Sequence, residues 1–247
     1  MAQAFGLVQS KGFEPAPAGR QPAILAEIAW EMVEDRFEGR GEQLKMFWCF
    51  QLQAEDPNGE RYILDLELYP TISAKNAVGK FCRSWSASPT ELTDDQINQW
   101  RIAVMGSLIE RDAVGNPVID DKGSVVTKLF ETFEGFHDNV DPDPPLVGLT
   151  AIINVEHKEA ASGRTYARIT GIFPNGKVDA VGNIIKGADG KPEPAFEMEI
   201  ENYVSRAERQ AEIAKRIAEK EAKKPGRQQA TPGQTAAPKA KVSVPFF

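Results

Sequence analysis

Apolar and polar residues alternate with a period of two along three early stretches of the chain, the spacing that turns one side of a β-strand to a core and the other to water. In the first, Ile24, Ala26, Ile28, Trp30 and Met32 alternate with Glu27, Ala29 and Glu31, which predicts a strand with its even positions inward. The second runs from about Leu44 to Gln53. Leu44, Met46, Trp48, Phe50 and Leu52 form its apolar face, and Lys45, Phe47, Cys49 and Gln51 the other. The Asp56-Pro57-Asn58-Gly59 turn then leads into a third strand, Glu60 to Tyr69, with Tyr62, Leu64, Leu66 and Leu68 on the core side.

The period then changes. Ser73 is a candidate N-cap for a helix in which Ala77, Val78, Phe81, Cys82 and Trp85 recur at helical spacing, and Thr93 caps a second helix over 94–105, striped by Ile97, Trp100 and Val104. Strand patterns return at Leu149 to His157, with Leu149, Ile153 and Val155 inward. The turn Ala161-Ser162-Gly163 and a last strand, Arg164 to Phe173, follow. Three strands, a helical connection and two more strands is the order of the OB barrel, although other small β folds share it. The expectation is a mainly β fold with added helices: a five-stranded OB-like barrel, an inserted hairpin region, a C-terminal helix and a disordered tail. Residues 1–22, rich in Pro and Gly toward their end, read as a flexible lead-in. Residues 23–198 read as the OB-like domain with an insertion at 106–145, 199–224 as a charged helix, and 225–247 as the tail. The pentapeptide Asp-Ala-Val-Gly-Asn occurs at 112–116 and 179–183; five residues are too few to define a repeat, so a chance recurrence of hairpin-tip chemistry is expected.

Charge complicates this picture. The net charge of −7 divides into 31 acidic and 19 basic residues over 1–199, against 5 and 10 over 200–247. An acidic body has no broad attraction for phosphate, so any nucleic-acid site must be a local groove. Neither a Walker-type phosphate loop nor a Gly-x-Ser-x-Gly elbow occurs. His137 and His157 stand far apart, and Cys49 and Cys82 lack metal or redox spacing, which fits a reduced cytoplasm. Asp138, Asp141 and Asp143, with Asp120 and Asp121 upstream, read as solvated loop charge without the spacing of a calcium loop. No catalytic residue, metal or cofactor is expected. No signal peptide or membrane span is expected either.

Several short pieces, in order, resemble the single-stranded DNA-binding proteins of tailed bacteriophages. They are Pro17-Ala18-Gly19, Phe47-Trp48, Tyr69-Pro70-Thr71-Ile72-Ser73 leading to Lys75, Lys80 and Trp85, then Gly148, Val155-Glu156-His157-Lys158 and Gly163-Arg164-Thr165-Tyr166-Ala167-Arg168-Ile169. The resemblance covers roughly residues 13–105 and 146–174 and implies an OB-type core that binds single strands with little sequence preference in phage replication or recombination, within the host cytoplasm. Such binding stacks bases on aromatic rings while cations follow the backbone. On the faces opposite the core, Phe47 and Tyr166 are the candidate stacking residues. Lys45, Arg61, Lys158 and Arg168 are phosphate contacts beside Ile63, and Lys75, Lys80 and Arg83 extend the track along the helix. The terminal Pro245, Phe246 and Phe247 resemble the partner-docking tip of bacterial single-strand binding proteins, with Lys239 and Lys241 where those tips carry acids. Replication or recombination proteins, or a neighbouring subunit of a homo-oligomer, would be their targets. The competing reading is a non-enzymatic phage accessory or assembly protein whose acidic body binds a protein partner.

Overall fold

The computed structural model describes residues 14–34, 41–88, 90–128, 130, 132–141, 144–179, 184–187 and 193–222. Most of the expected lead-in, and the tail with Pro245, Phe246 and Phe247, lie outside the described residues.

Five antiparallel strands, β1 (Gly19–Glu34), β2 (Glu42–Glu55), β3 (Arg61–Leu68), β4 (Thr150–Glu159) and β5 (Thr165–Pro174), form one open sheet in the order β3-β2-β1-β4-β5. β1 starts at Gly19, inside the stretch expected to be flexible, and it bends the sheet. Its first part, Gly19–Ile24, pairs with β4, while Ala23–Glu34 pairs with β2 across a bulge between Leu25 and Glu27. One extra residue in a strand exchanges its two faces. Ala23 and Leu25 therefore point into the core before the bulge and Ile28 and Trp30 after it, and Ala26 is not the core residue its even number predicted. In β4 the inward set is Ala151, Ile153 and Val155, whereas Leu149 is exposed ahead of the strand. The edge strands β3 and β5 approach within 8 Å, and no ladder joins them among the described residues.

Between β3 and β4 lie α1 (Ala77–Trp85), α2 (Asp94–Met105), a 3-10 turn (Gly106–Leu108) and α3 (Phe133–His137). Asn76, not Ser73, caps α1, its Oδ1 accepting from Gly79 N at 2.8 Å; Thr93 and Gln96 close a reciprocal capping box on α2. The two helices bring Trp85 and Trp100 against the even face of β2. Ring centroids lie 6.0 Å apart for Trp48–Trp85, 5.8 Å for Phe50–Trp85 and 5.7 Å for Trp85–Trp100. Part of the insertion belongs to the same core: Phe136 of α3 is buried edge-on against Trp30 at 5.4 Å, flanked by Phe130 and Phe133.

The recurring pentapeptide marks a repeated structure, which corrects the expectation of chance. In the first copy Glu110 N donates to Val126 O, Val126 N to Val118 O and Val118 N to Glu110 O, a ring of three strand legs. In the second, Lys177 N donates to Glu193 O, Glu193 N to Ile185 O and Ile185 N to Lys177 O. The bridge Arg111–Pro117 of the first copy corresponds to Val178–Ile184 of the second. Asp112 makes the first turn by accepting from Val114 N and Asn116 N, and Asp120 makes the next by accepting from Lys122 N and Ser124 N. An asparagine anchors each copy to the body: Asn98 bonds Gly123 O and Val125 N, and Asn175 bonds Phe196 O and Ala195 N. The same three-bond backbone ring thus occurs twice, once before β4 and once after β5. The legs are too short for the period-two signal, so only the shared turn residues were visible in the sequence.

Residues 199–205, expected to begin the C-terminal helix, run instead as an irregular strap, and the helix α4 is Arg206–Ala222.

Candidate nucleic-acid interface

The cations and aromatic rings expected to meet a single strand fall on two separate surfaces. The first is the outward face of β1, β2 and β3. Parity placed Lys45, Phe47, Arg61 and Ile63 correctly on the side away from the core, yet that side is covered. All of β2 from Leu44 to Leu52 is buried, on both faces. The cover is the strap and the first turn of α4. Gln51 exchanges hydrogen bonds with the Glu201 backbone at 2.5 and 3.0 Å. Arg61 donates to Glu199 O at 2.7 Å and pairs with Glu201 at 3.0 Å. Tyr203 donates to Glu27 at 2.6 Å, and the same Glu27 oxygen accepts from Arg206 N at 2.8 Å.

Arg206 is the centre of this contact. Its guanidinium lies 3.5 Å from the centroid of the Phe47 ring, bonds Glu31 at 2.6 and 3.0 Å and also bonds Asp65. Arg209 reaches both Asp65 oxygens at 3.0 and 2.9 Å. Burial alone would push the Asp65 carboxyl up; the hydrogen bond and charge of Arg209, with the charge of Arg206, hold it below the ordinary carboxylate value. Burial together with the charge of Asp65 drives the neighbouring Cys49 thiol well up. Phe47 is 4% exposed beneath Arg206, so in this arrangement its ring is closed to a base. Lys45 is equally withdrawn, its ammonium 3.3 Å from the Tyr69 ring centroid and 3.4 Å from Glu67. Ile63 is half-buried opposite Gln51. The face offers Glu31 and Asp65 to Arg206, Asp65 to Arg209 and Glu27 to Tyr203, with Glu67 taken by Lys45, and it is an acidic seat rather than a phosphate track.

The second surface is open. Lys75, Lys80, Arg83, Phe81 and Ser84 from the first helical stretch face Thr170, Gly171 and Phe173 of β5 across a groove of about 530 Å³. No acidic residue occurs in α1, and Glu91 is the one carboxylate on the groove lining. Lys75, Lys80 and Arg83 are exposed, Phe81 and Phe173 half-buried. Arg20, at the start of β1, places its guanidinium 5.1 Å from the Phe173 ring centroid. The outward row of β5 continues past a bulge opposite Asn154, where Asn154 bonds the Thr170 hydroxyl at 2.8 Å, to Arg168 and Tyr166. Arg168 stands opposite Glu156, and Tyr166 opposite Lys158. Lys158 also lies 3.7 Å from Glu156.

Six of the ten expected contact residues thus lie on the groove or on the β4–β5 face that continues from it, whereas Phe47 and Arg61 lie under the strap, Lys45 is drawn to Tyr69 and Glu67, and Ile63 is half-buried opposite Gln51. Arg20, Phe81 and Phe173 were missed. Arg20 sat in a stretch read as mobile, Phe81 in an apolar helical stripe, and Phe173 at a strand end, with nothing local to show that they converge. His157 bonds Ala16 O at 2.8 Å and so fastens the residues ahead of β1 to β4. Among the described residues no three His, Cys, Asp or Glu side chains gather as a metal set, and Cys49 and Cys82 are buried free thiols. Among the same residues no helix is long and apolar enough to cross a membrane.

What these features define is a mainly β protein with one acidic face sealed by its own chain and one basic, aromatic groove left open. No family model matches the chain, and no curated protein matches it.

Proposed function

We propose that the chain binds single-stranded DNA without strong sequence preference, in the groove between α1 and β5, and acts without catalysis in phage DNA replication or recombination. The observation that carries this reading is the convergence of Lys75, Lys80, Arg83 and Arg20 around the half-exposed rings of Phe81 and Phe173, with Glu91 the one carboxylate on the lining among the described residues. Cations spaced along a groove neutralise successive phosphates, and a ring beside them gives an unpaired base a flat partner, each stack being worth about 1–3 kcal/mol. Arg168, Tyr166 and Lys158 extend the track along β5 and β4. A duplex keeps its bases inside and gains the ionic part only, so single strands are preferred.

The same reading takes the sheet as an OB barrel, its helical connection lying between the third and fourth strands and its edge strands β3 and β5 drawn within 8 Å. The acidic surplus elsewhere repels duplex and confines binding to the groove. The test is fluorescence anisotropy with labelled oligo(dT) and with duplex of equal length. The expected result is tighter binding of oligo(dT), weakened about 5- to 150-fold by Phe173→Ala if one full stack is lost. Absence of affinity for oligo(dT) at low salt would overturn the proposal in favour of a protein-binding accessory factor.

A further inference from the structure

The acidic seat on β1, β2 and β3 and the strap that fills it behave as a receptor and a detachable module. Past Asn202 the strap is held to the sheet mainly by side chains: Tyr203 on Glu27, Arg206 on Glu31, Asp65 and Phe47, and Arg209 on Asp65. No strand ladder fixes it. Beyond Arg209, no hydrogen bond or ion pair joins α4 to the sheet among the described residues; its one ion pair there, Arg216–Glu212, is internal. Upstream, Phe196 is fixed to Asn175, and the chain turns into the seat at Asn202, whose φ of +48° is a conformation L residues seldom adopt.

We propose that the seat also accepts residues 203–209 of a second copy of this chain, so that two molecules exchange straps across a two-fold axis. Removing the strap leaves Glu27, Glu31 and Asp65 clustered and partly buried without a counter-charge, and an unpaired buried charge is strongly destabilising. An empty seat is therefore refilled by the one segment shaped for it, from its own chain or a neighbour's. Exchange conserves the contacts of residues 203–209 and costs only those of the hinge, where Gln51 and Arg61 release Glu199 and Glu201; swapping an identical element is in general a low-cost route to a dimer. Straightened, residues 197–202 span about 20 Å, enough to reach the seat of a chain packed alongside. In dilute solution the chain's own strap has the advantage of high effective concentration; copies crowded together lose that advantage. The proposal is independent of what the groove binds.

Complementary variants of the full chain test it without DNA. Arg206→Gln with Arg209→Gln keeps the seat and disables the strap. Glu31→Gln with Asp65→Asn keeps the strap and disables the seat. Neither can form the arginine–carboxylate pairs within itself, but the seat of the first fits the strap of the second. Native mass spectrometry and sedimentation of an equimolar mixture, one chain ¹⁵N-labelled, should show a one-to-one heterodimer, with each variant alone at monomer mass. A mixture that stays monomeric while both chains keep wild-type circular dichroism overturns the proposal, as does a statistical mix of homo- and heterodimers. If Asp65→Asn prevents folding, Glu27→Gln with Glu31→Gln serves as the seat-defective chain, leaving Asp65 intact.

Discussion

The proposed binding of a single strand in the α1–β5 groove has a salt dependence that follows from its cations. Lys75, Lys80, Arg83 and Arg20 are exposed around the groove, and none of the four has an ion pair among the described residues. If each neutralises one phosphate, the slope of log K against log salt is about −2.8, at about −0.7 per phosphate for a single strand. Raising salt from 50 to 200 mM then weakens binding about 50-fold. Lys80→Ala with Arg83→Ala leaves two of the four, so the slope falls to about −1.4 and the same salt change costs about 7-fold. The assay is anisotropy of labelled oligo(dT) at four salt concentrations. Arg61→Gln is the control, because Arg61 is already engaged by Glu199 and Glu201 under the strap. Its slope should match wild type. A double variant with an unchanged slope, or an Arg61 variant that lowers the slope equally, would refute the placement of the strand in the groove.

Three further outcomes test the physical basis of the fold and the strap. Asp65 titrates below its ordinary value when folded, so its ion pairs add stability above the unfolded value of about 3.9, and this is lost as pH falls through the folded value. Amide hydrogen exchange of residues 203–209, corrected for its intrinsic pH dependence, should therefore quicken as pH falls below about 3.9, and a strap whose protection stays unchanged until the whole fold is lost would contradict this. Gly79→Ala should destabilise by about 3 kcal/mol or more in urea, because a Cβ there would lie 1.8 Å from the Ser73 carbonyl oxygen, which is backbone and has little freedom to retreat. Phe136→Ala should cost about 3–5 kcal/mol and shift the urea midpoint of the whole protein; a loss confined to the insertion would show that α3 is a separate satellite rather than part of the core.

The strand order and the apolar face of β2 were legible in the sequence because each rests on a local period. The even positions from Leu44 to Leu52 are all apolar, and the core takes this even set as the period of two requires. What a local period cannot register is a displaced phase or a distant cover. The bulge after Leu25 moves the inward set of β1 by one residue, and no glycine or proline marks it. Phe47 and Lys45 have the composition of an open binding face. Whether they are open depends on Tyr203, Arg206 and Arg209, more than a hundred and fifty residues away, whose charges in sequence look like the solvated pattern of any surface helix. The insertion was opaque for a related reason: its order comes from turns and single bridges rather than from long elements.

The strap also changes what the acidic balance means. Taken as a sum over the chain, the excess of carboxylates argues against any affinity for phosphate. In the fold it is divided. Glu31 and Asp65 are paired with Arg206 and Arg209 of the chain's own C-terminal part, and Glu27 accepts from Tyr203 and the Arg206 backbone, so this local cluster of carboxylates is satisfied inside the molecule. Meanwhile α1, free of acids, presents Lys80 and Arg83 to β5, with Lys75 just ahead of it. With a Debye length of about 8 Å at physiological salt, a phosphate in that groove responds to the charges lining it more than to those across the sheet. A net charge of −7 and a basic groove open to a single strand are therefore compatible.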